Sequence, residues 1–463
     1  EEGDNQTMSA PIEHEKWSSR LTFILAAVGS AVGLGNIWKF PYTAGMNGGG
    51  AFVLIYVLCI LAVGLPILIA ELTIGKRGQM SPPNSLARLA REEGRHKSWQ
   101  AFGWLGIVSG FLILSFYSVI GGWALAYIPK LISGSIISTN PDVVTAQFDA
   151  LLANPWELLI WHSLFMGLTV FVIARGIHAG IEQAVNVLMP SLFFLLLALV
   201  VYAAIEGDFA RAWSFLFSFD FSKINGSVVL GAMGQAFFSI SVGLGTMMTY
   251  GAYLPAQTNI PRAAAVIVTA DSIVALLAGL AIFPIVFANG LDPAAGAGLV
   301  FVTLPLAFAG VPGGEVFGTL FFILIAFAAI TSSISLLEPV VSWAEEHKGA
   351  KRSLSAIIIG MLIWFVGLLT VLSFNLWGDF HPLAMIERFR EATLFDLIDY
   401  LTSNIMLPVG GFAIAIFASW MLSRATTKAE LALPSVLYKS WLFLARFVAP
   451  AAVFLILIFS VSE

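Results

Sequence analysis

The stretch AAVGSAVGLGNIWKFP, residues 26–41, carries the pattern that decides the fold. It lies in an apolar run, yet Val32–Gly35 reads Val-Gly-Leu-Gly and places two glycines within one helical turn. The same tetrapeptide recurs at Val242–Gly245. Glycine costs about 1 kcal/mol relative to alanine in a helix interior, so both stretches favour an unwound backbone. Because lipid cannot hydrogen-bond an unwound backbone, each stretch must face protein or a water-filled cavity.

The composition around these stretches is that of a membrane protein. Apolar residues make up 58% of the 463 residues and charged residues only 11%, whereas soluble domains carry about 25% charged residues. The net charge of −5 comes without a basic stripe, so nucleic acid is not an expected partner. Cys59 is the single cysteine, which excludes disulfide frameworks and cysteine-based metal sites.

Eleven stretches are long and apolar enough to cross a bilayer, which needs about 20 residues of helix. They lie near residues 20–45, 51–74, 99–129, 156–175, 184–206, 227–254, 262–288, 313–344, 354–374, 394–422 and 438–461. The apolar segment 297–312 is short and broken by proline, so we expect a re-entrant or extracellular hairpin there. The predicted fold class is an all-α integral membrane protein.

The basic residues orient these spans. With the N-terminus in the cytoplasm, 16 Lys and Arg side chains fall on the inner side and 6 on the outer side, with Arg446 inside the last span. Positive charge is retained on the cytoplasmic side during insertion, so this bias supports the topology. We therefore expect a multi-pass protein of the cell (inner) membrane with its C-terminus outside.

The two glycine tetrapeptides each open a block of five spans, which predicts a 5+5 inverted repeat with discontinuous helices 1 and 6. The alternative is close helix packing, since small residues also let helices approach one another. The predicted organisation is a cytoplasmic tail (1–16), a first repeat (17–206), an extracellular loop (207–226), a second repeat (227–422) and one extra C-terminal span (423–463).

Residues 26–41, followed by Asn-Gly-Gly-Gly-Ala-Phe at Asn47–Phe52, closely resemble the signature of the neurotransmitter:sodium symporter family. Gly234–Ser239 (GQAFFS) and Thr331–Ser333 add two further matches. The resemblance runs from Trp17 to the last span. It implies the fold of the bacterial leucine transporter and sodium-coupled amino-acid transport by alternating access, with spans 1, 2, 6 and 7 tilting against spans 3, 4, 5 and 8.

The resemblance also implies two sodium sites built from oxygen ligands, which suit a hard cation. The first would use the carbonyl of Ala31 with the side chains of Asn36, Ser239 and Asp271. The second, between spans 1 and 8, would use the following residues: Gly29, Val32, Ala328, Thr331 and Ser332. The alternative for these polar side chains is ordinary hydrogen bonding between helices or to a carbonyl one turn back.

Asp271 departs from many animal relatives, which have Asn at this position and need chloride. A charge inside a span costs about 2.5–3.5 kcal/mol and therefore implies a partner or a role. Our hypothesis is that the Asp271 carboxylate replaces chloride, and that its protonation accompanies the empty return step. Tyr56, Gln235 and Ser239 match other chloride-site positions. A protonated, structural aspartic acid is the alternative.

The matched substrate contacts come from four spans. They are Ser30, Ala31, Leu34, Gly35, Ile113, Tyr117, Phe238, Ser239, Ser241, Leu244, Ser333 and Leu336. The Tyr117 hydroxyl would bind the substrate carboxylate, and the apolar members would surround its side chain. Relatives that carry amines have Asp where this chain has Gly33, so we expect a zwitterionic amino acid with a neutral, apolar side chain.

Gate residues are matched less closely. Lys39 stands where an outer-gate arginine is usual, opposite Asp399, and lysine lacks the planar fork of arginine. On the inner side His14 replaces the usual arginine opposite Glu346, and Tyr253 matches a gate hydroxyl. Two other intramembrane carboxylates are expected to accept hydrogen bonds from backbone groups: Glu71 and Glu338.

Three other functions compete with a symporter. An ion channel would use Asp271 to line its pore, and a sensor would bind the amino acid without moving it. An intramembrane enzyme is disfavoured, because the chain lacks HExxH and GxSxG motifs, and no GxxxxGK[ST] nucleotide loop is present. The expected partners are an amino acid, sodium ions and the bilayer, with the oligomeric state left open.

Overall fold

The computed structural model describes residues 15–136, 138–293, 298–348 and 350–462, and within these ranges the chain is helical without strands. Within these ranges, nine helices are long and apolar enough to cross a membrane. In chain order they are span 2 (Gly50–Gly78), span 3 (Lys97–Ile132), span 4 (Pro155–Ala174), span 5 (Ile177–Glu206), span 7 (Ile260–Ala288), span 8 (Gly314–His347), span 9 (Arg352–Ser373), span 10 (Leu394–Met421) and span 11 (Ser435–Phe459).

Span 1 is a broken helix made of Arg20–Ala31 and Gly35–Met46, which meet at an angle of 50°. Ser19 caps the first piece by accepting a 3.1 Å hydrogen bond from the Thr22 amide. Val32 leaves the helix in an extended conformation, with φ −74° and ψ 100°. The break therefore falls on the first Val-Gly-Leu-Gly tetrapeptide.

Span 6 is broken as well, into Gly226–Ser239 and Thr246–Ala252. Three residues between the two pieces have positive φ: Ser241 at 54°, Gly243 at 93° and Gly245 at 75°. Glycine adopts this left-handed region without the steric cost that other residues meet, so the second tetrapeptide unwinds the helix. Among the described residues, the nine helices and the broken span 1 give ten spans by length and composition. The two pieces of span 6, of 14 and 7 residues, occupy the place of the eleventh predicted span.

Span 5 begins earlier than expected, at Ile177 instead of residue 184. Its first turns carry polar side chains, which make this part of the sequence look too polar for a span, but these side chains have hydrogen-bond partners in the fold. His178 Nδ1 lies 3.1 Å from Glu182 Oε2, and Glu182 Oε1 accepts a 2.7 Å hydrogen bond from the Ser18 amide.

Helices outside the spans occupy several connections. They are Pro82–Glu92, Pro141–Ala153, Phe209–Phe217, Leu299–Ala309 and Arg424–Leu431. The expected loop 207–226 thus contains the helix Phe209–Phe217, and the expected hairpin at 297–312 contains the helix Leu299–Ala309, whose residues are largely buried.

Spans 3 and 8 form the centre of the molecule, since 78% of the apolar window of each is buried, against 33% for spans 4, 5 and 11. Spans 2 and 6 make an especially close contact, because a Cβ atom added at Gly75 would overlap the carbonyl of Met248. The residues of the two breaks are largely buried.

Candidate functional site

The two breaks enclose a small cavity of about 40 Å³ halfway along spans 1, 3, 6 and 8. It is lined by Ser30, Ala31, Gly33, Leu34, Gly35, Ile113, Tyr117, Phe238, Ser241, Leu244, Ser332, Ser335, Leu336 and Leu407. Ten of the twelve residues matched as substrate contacts are among them. The structure thus gathers residues from distant parts of the chain around one space.

Two matched substrate contacts do not line this cavity. Ser239 turns towards Asp271, and Ser333 lies against span 4, where its hydroxyl is 2.7 Å from the Thr169 hydroxyl. Successive residues of a helix point about 100° apart, so the neighbouring Ser332 faces the cavity instead. Ser335, three residues further on the same face, accepts a 2.9 Å hydrogen bond from Ser30. The i,i+3 spacing of Ser332 and Ser335 was the available signal for this face.

Side chains satisfy backbone groups that unwinding exposes. The Gly33 amide donates to Asn36 Oδ1 at 3.2 Å, and the Leu34 amide donates to the Tyr117 hydroxyl at 3.4 Å. In span 6 the Gly243 amide donates to Glu71 Oε1 at 2.6 Å. This last bond agrees with the expected role of Glu71, and together the three bonds make an irregular backbone tolerable at membrane depth.

Asp271 lies fully buried beside the cavity and accepts hydrogen bonds from three neutral side chains. Asn36 Nδ2 lies 2.8 Å from Oδ1, while the hydroxyls of Ser239 and Tyr56 lie 2.8 Å and 3.4 Å from Oδ2. Gln235 points elsewhere and donates to the Gly35 carbonyl at 2.7 Å. Among the described residues no Lys, Arg or His approaches this carboxylate within 4.0 Å. A carboxylate surrounded by donors but without a counter-charge is suited to a mobile cation.

The five residues matched to the second sodium site also meet, between spans 1 and 8. The Ser332 hydroxyl lies 3.4 Å from the carbonyl oxygens of Gly29 and Val32. The Thr331 hydroxyl lies 3.1 Å from the Ala328 carbonyl. Ser332 thus bridges to span 1, and a Cβ atom added at Gly29 would lie 3.2 Å from that of Thr331, so the two helices are in contact here. The Thr331 hydroxyl itself follows the simpler pattern of bonding within its own helix.

Phe238 separates the central cavity from two outer ones, of about 100 and 380 Å³, because its ring lines all three. Lys39 places its ammonium 4.1 Å from the centre of this ring, in cation–π contact. Lys39 and Asp399 share the 100 Å³ cavity, but in the described chain they form no ion pair within 4.0 Å. Asp399 instead accepts a 2.8 Å hydrogen bond from Ser403.

At the end of the spans that the basic residues assign to the cytoplasm, Tyr253 donates a 2.7 Å hydrogen bond to Glu338 Oε1. The guanidinium of Arg352 contacts the same carboxylate and reaches Glu345 at 3.0 Å. The expectation that Glu338 bonds backbone groups is thus corrected: its partners are two side chains. A fully buried carboxylate is stabilised by a cation such as Arg352 more than by backbone amides alone.

Glu346 accepts hydrogen bonds of 2.6 Å from the Ser81 amide and from Asn84. His14, its expected partner, lies outside the described residues. Nearby, the Trp17 amide donates to the Tyr253 carbonyl at 3.0 Å, and the Ile177 amide donates to Glu15 at 3.0 Å. These bonds hold the start of span 1 against span 6 and span 5, so the protein is closed at this end.

Comparisons with known proteins identify the family. The family described as "Sodium:neurotransmitter symporter family" matches residues 14–141 and 143–463. An uncharacterized sodium-dependent transporter of Bacillus subtilis, YhdH, is 39% identical over 95% of this chain and 96% of its own. One from Haemophilus influenzae is 32% identical over 96% of this chain and 98% of its own.

Among solved structures, that of MhsT in complex with L-phenylalanine is similar, with 41% identity and a TM-score of 0.87 over 96% of this chain and 99% of that chain. This likeness confirms the predicted fold class. The relatives are sodium-dependent transporters, which confirms the predictions of a multi-pass membrane protein and of a carrier without enzymatic activity. With matches over nearly its whole length, this chain belongs to the sodium:neurotransmitter symporter family.

Proposed function

We propose that this protein carries neutral, apolar amino acids together with sodium by alternating access and does not need chloride. The observation that supports this most strongly is the buried Asp271 carboxylate, which accepts three hydrogen bonds from neutral donors beside the cavity between the two broken helices. It supplies, inside the protein, the negative charge that sodium ions require.

The cavity favours a zwitterionic substrate. A Cβ atom at Gly33 would lie 2.5 Å from the Ser332 hydroxyl and 3.1 Å from that of Tyr117, so a carboxylate side chain has no room there. The substrate must then bring its own carboxylate to the first sodium ion, near the exposed backbone dipoles of span 1.

The remaining wall favours an apolar side chain, since Ile113, Leu244 and Leu336 line it. MhsT, which is similar over nearly the whole chain, binds L-phenylalanine in its solved structure. A cavity of about 40 Å³ holds a few water molecules, each of which needs about 10–15 Å³, but not an amino acid. Entry of an amino acid therefore requires the Phe238 ring to move.

Two sodium ions would occupy the groups already described. The first would bind at Ala31, Asn36, Ser239 and Asp271, and the second at Gly29, Val32, Ala328, Thr331 and Ser332. An ion entering a negative cell interior gains about 2.3 kcal/mol per charge per 100 mV, which drives accumulation of the substrate. We place the N-terminus inside, the C-terminus outside and the protein in the cell membrane, with repeats at 17–206 and 227–422.

Uptake of labelled amino acids into proteoliposomes tests this proposal. We expect saturable uptake of apolar amino acids that needs an inward sodium gradient and persists when chloride is replaced by gluconate. Loss of uptake on removing chloride would overturn the chloride-free mechanism. A sodium current without saturable uptake would indicate a channel, and binding without uptake would indicate a sensor.

The variant Asp271→Asn separates the role of charge from that of shape. The amide retains an oxygen that accepts hydrogen bonds but removes the charge, so we expect sodium-driven uptake to fall at least tenfold in gluconate and to recover partly in chloride. Asp142→Asn, which removes an exposed carboxylate of the helix Pro141–Ala153, is the matched control and should transport normally. Equal activity of Asp271→Asn and wild type without chloride would contradict the assignment.

A further inference from the structure

A separate cavity, of about 470 Å³, lies at the start of span 11, on the side that the basic residues assign to the cytoplasm. It combines four cations with apolar and aromatic side chains. Its lining residues are Arg424, Lys428, Ser435, Tyr438, Lys439, Leu442, Phe443, Arg446 and Phe447. Neither sodium coupling nor amino-acid binding uses any of these residues.

The fold builds this cavity from two helix faces. Arg424 and Lys428 are four residues apart on the helix Arg424–Leu431, so they share one face. Lys439, Phe443 and Arg446 follow one face of span 11 at helical spacing. The Tyr438 hydroxyl, 2.8 Å from that of Thr427, holds the two helices together.

The four cations are not neutralised within the protein. In the described part of the chain none of them has a carboxylate within 4.0 Å, and the nearby Glu430 pairs with Lys76 at 2.7 Å. Arg446 donates from Nε to the Ser419 carbonyl at 3.0 Å and lies 4.3 Å from the centre of the Trp420 ring. These contacts fix its orientation but leave guanidinium donors available for an anion.

The same cavity opens towards lipid. Phe443 and Phe447 are 58% and 50% exposed, on a span whose apolar window is only 33% buried. Cations beside lipid-facing rings at the end of a span match a ligand that joins a phosphate to acyl chains. Basic pockets of this kind on the cytoplasmic side of membrane proteins bind anionic lipid headgroups.

We propose that this cavity binds an anionic phospholipid, with its phosphate between Arg424, Lys428 and Lys439 and an acyl chain along Phe443 and Phe447. A zwitterionic lipid is a poorer match, because no carboxylate among the described lining residues can pair with its ammonium group. A free phosphate would use the cations but not the exposed rings.

Native mass spectrometry of the purified protein with equal amounts of phosphatidylglycerol and phosphatidylcholine tests the proposal. We expect retained phosphatidylglycerol to be lost in Lys428→Gln/Lys439→Gln. Each basic residue near anionic lipid contributes about 1 kcal/mol, or about fivefold, so the double variant should bind about 25-fold more weakly. Arg95→Gln/Lys97→Gln removes two exposed charges from the same side, outside the cavity, and should bind like wild type.

Three results would overturn the proposal: equal retention of the two lipids, equal loss in the control variant, or displacement of the lipid by a large excess of inorganic phosphate. The last would indicate an anion site without a lipid. Phe443→Ser/Phe447→Ser should weaken phosphatidylglycerol binding while leaving the cations in place. Thermal unfolding of each variant in phosphatidylcholine alone distinguishes lost binding from lost folding, since all of them should melt like wild type there.

Discussion

The hydrogen bond from Tyr253 to Glu338 joins the two parts of the protein that are expected to move against each other. Tyr253 follows the second piece of span 6, and Glu338 lies in span 8. The variant Tyr253→Phe removes this hydroxyl and keeps the ring, and Glu338 retains Arg352 as its partner. We therefore expect the variant to fold but to open more readily on its inner side.

The expected increase in the inner-open population follows from the charge of the hydrogen-bond acceptor, Glu338. A hydrogen bond to a charged group contributes about 1.5–3 kcal/mol, and each 1.4 kcal/mol is a factor of ten. If the bond exists only while the inner side is closed, its loss should raise the inner-open population about 10- to 100-fold.

Hydrogen–deuterium exchange of single amides measures this population. The Ser18 amide donates to Glu182 at 2.7 Å and the Ile177 amide to Glu15 at 3.0 Å, so both bonds cross from span 1 to span 5 and should exchange faster. The Trp17 amide donates to Tyr253 at 3.0 Å, within the moving part, and should exchange as before.

Tyr127→Phe is the matched control, because its buried hydroxyl donates at 2.8 Å to the Phe301 carbonyl, away from the inner gate. It should lower stability without changing exchange at Ser18. Unchanged exchange at Ser18 and Ile177 in Tyr253→Phe, or equal acceleration at Trp17, would refute the reasoning.

Two further predictions concern the cavity and the inner network. Gly33→Ala should abolish sodium-dependent uptake, because its Cβ would lie 2.5 Å from the Ser332 hydroxyl, whereas Gly234→Ala, with open space around it, should retain uptake. Arg352→Gln leaves the fully buried Glu338 without its cation and should destabilise the protein by about 3–5 kcal/mol, measured as a lower unfolding temperature in detergent.

The features that the sequence predicts well are those set by local chemistry. Long apolar runs predict the spans, and the paired glycines at Val32–Gly35 and Val242–Gly245 predict both breaks, because glycine lowers the cost of leaving the helical conformation. The residues matched to the second sodium site also come together, since they follow one face of span 8 and one end of a helix.

The features that it misses depend on a side chain's direction or reach. Ser333 and Ser332 are adjacent in the sequence, yet only Ser332 lines the cavity, because the phase of span 8 is set by packing against Thr169. Similarly, the sequence near Arg352, at the start of span 9, gives no sign that its side chain reaches Glu338. The sequence also does not indicate that Lys39 lies over the Phe238 ring and not against Asp399.

The bond between Glu71 and the Gly243 amide has a mechanical consequence. Glu71 of span 2 accepts the hydrogen bond from an amide that the break in span 6 leaves without a helical partner. At Gly75 the backbone of span 2 lies directly against that of Met248. Sliding one past the other would leave a buried carboxyl group and a buried amide without their hydrogen bond. We therefore expect spans 2 and 6 to move as one rigid body. A displacement at the break in span 6, next to the substrate cavity, would then move the whole of span 2.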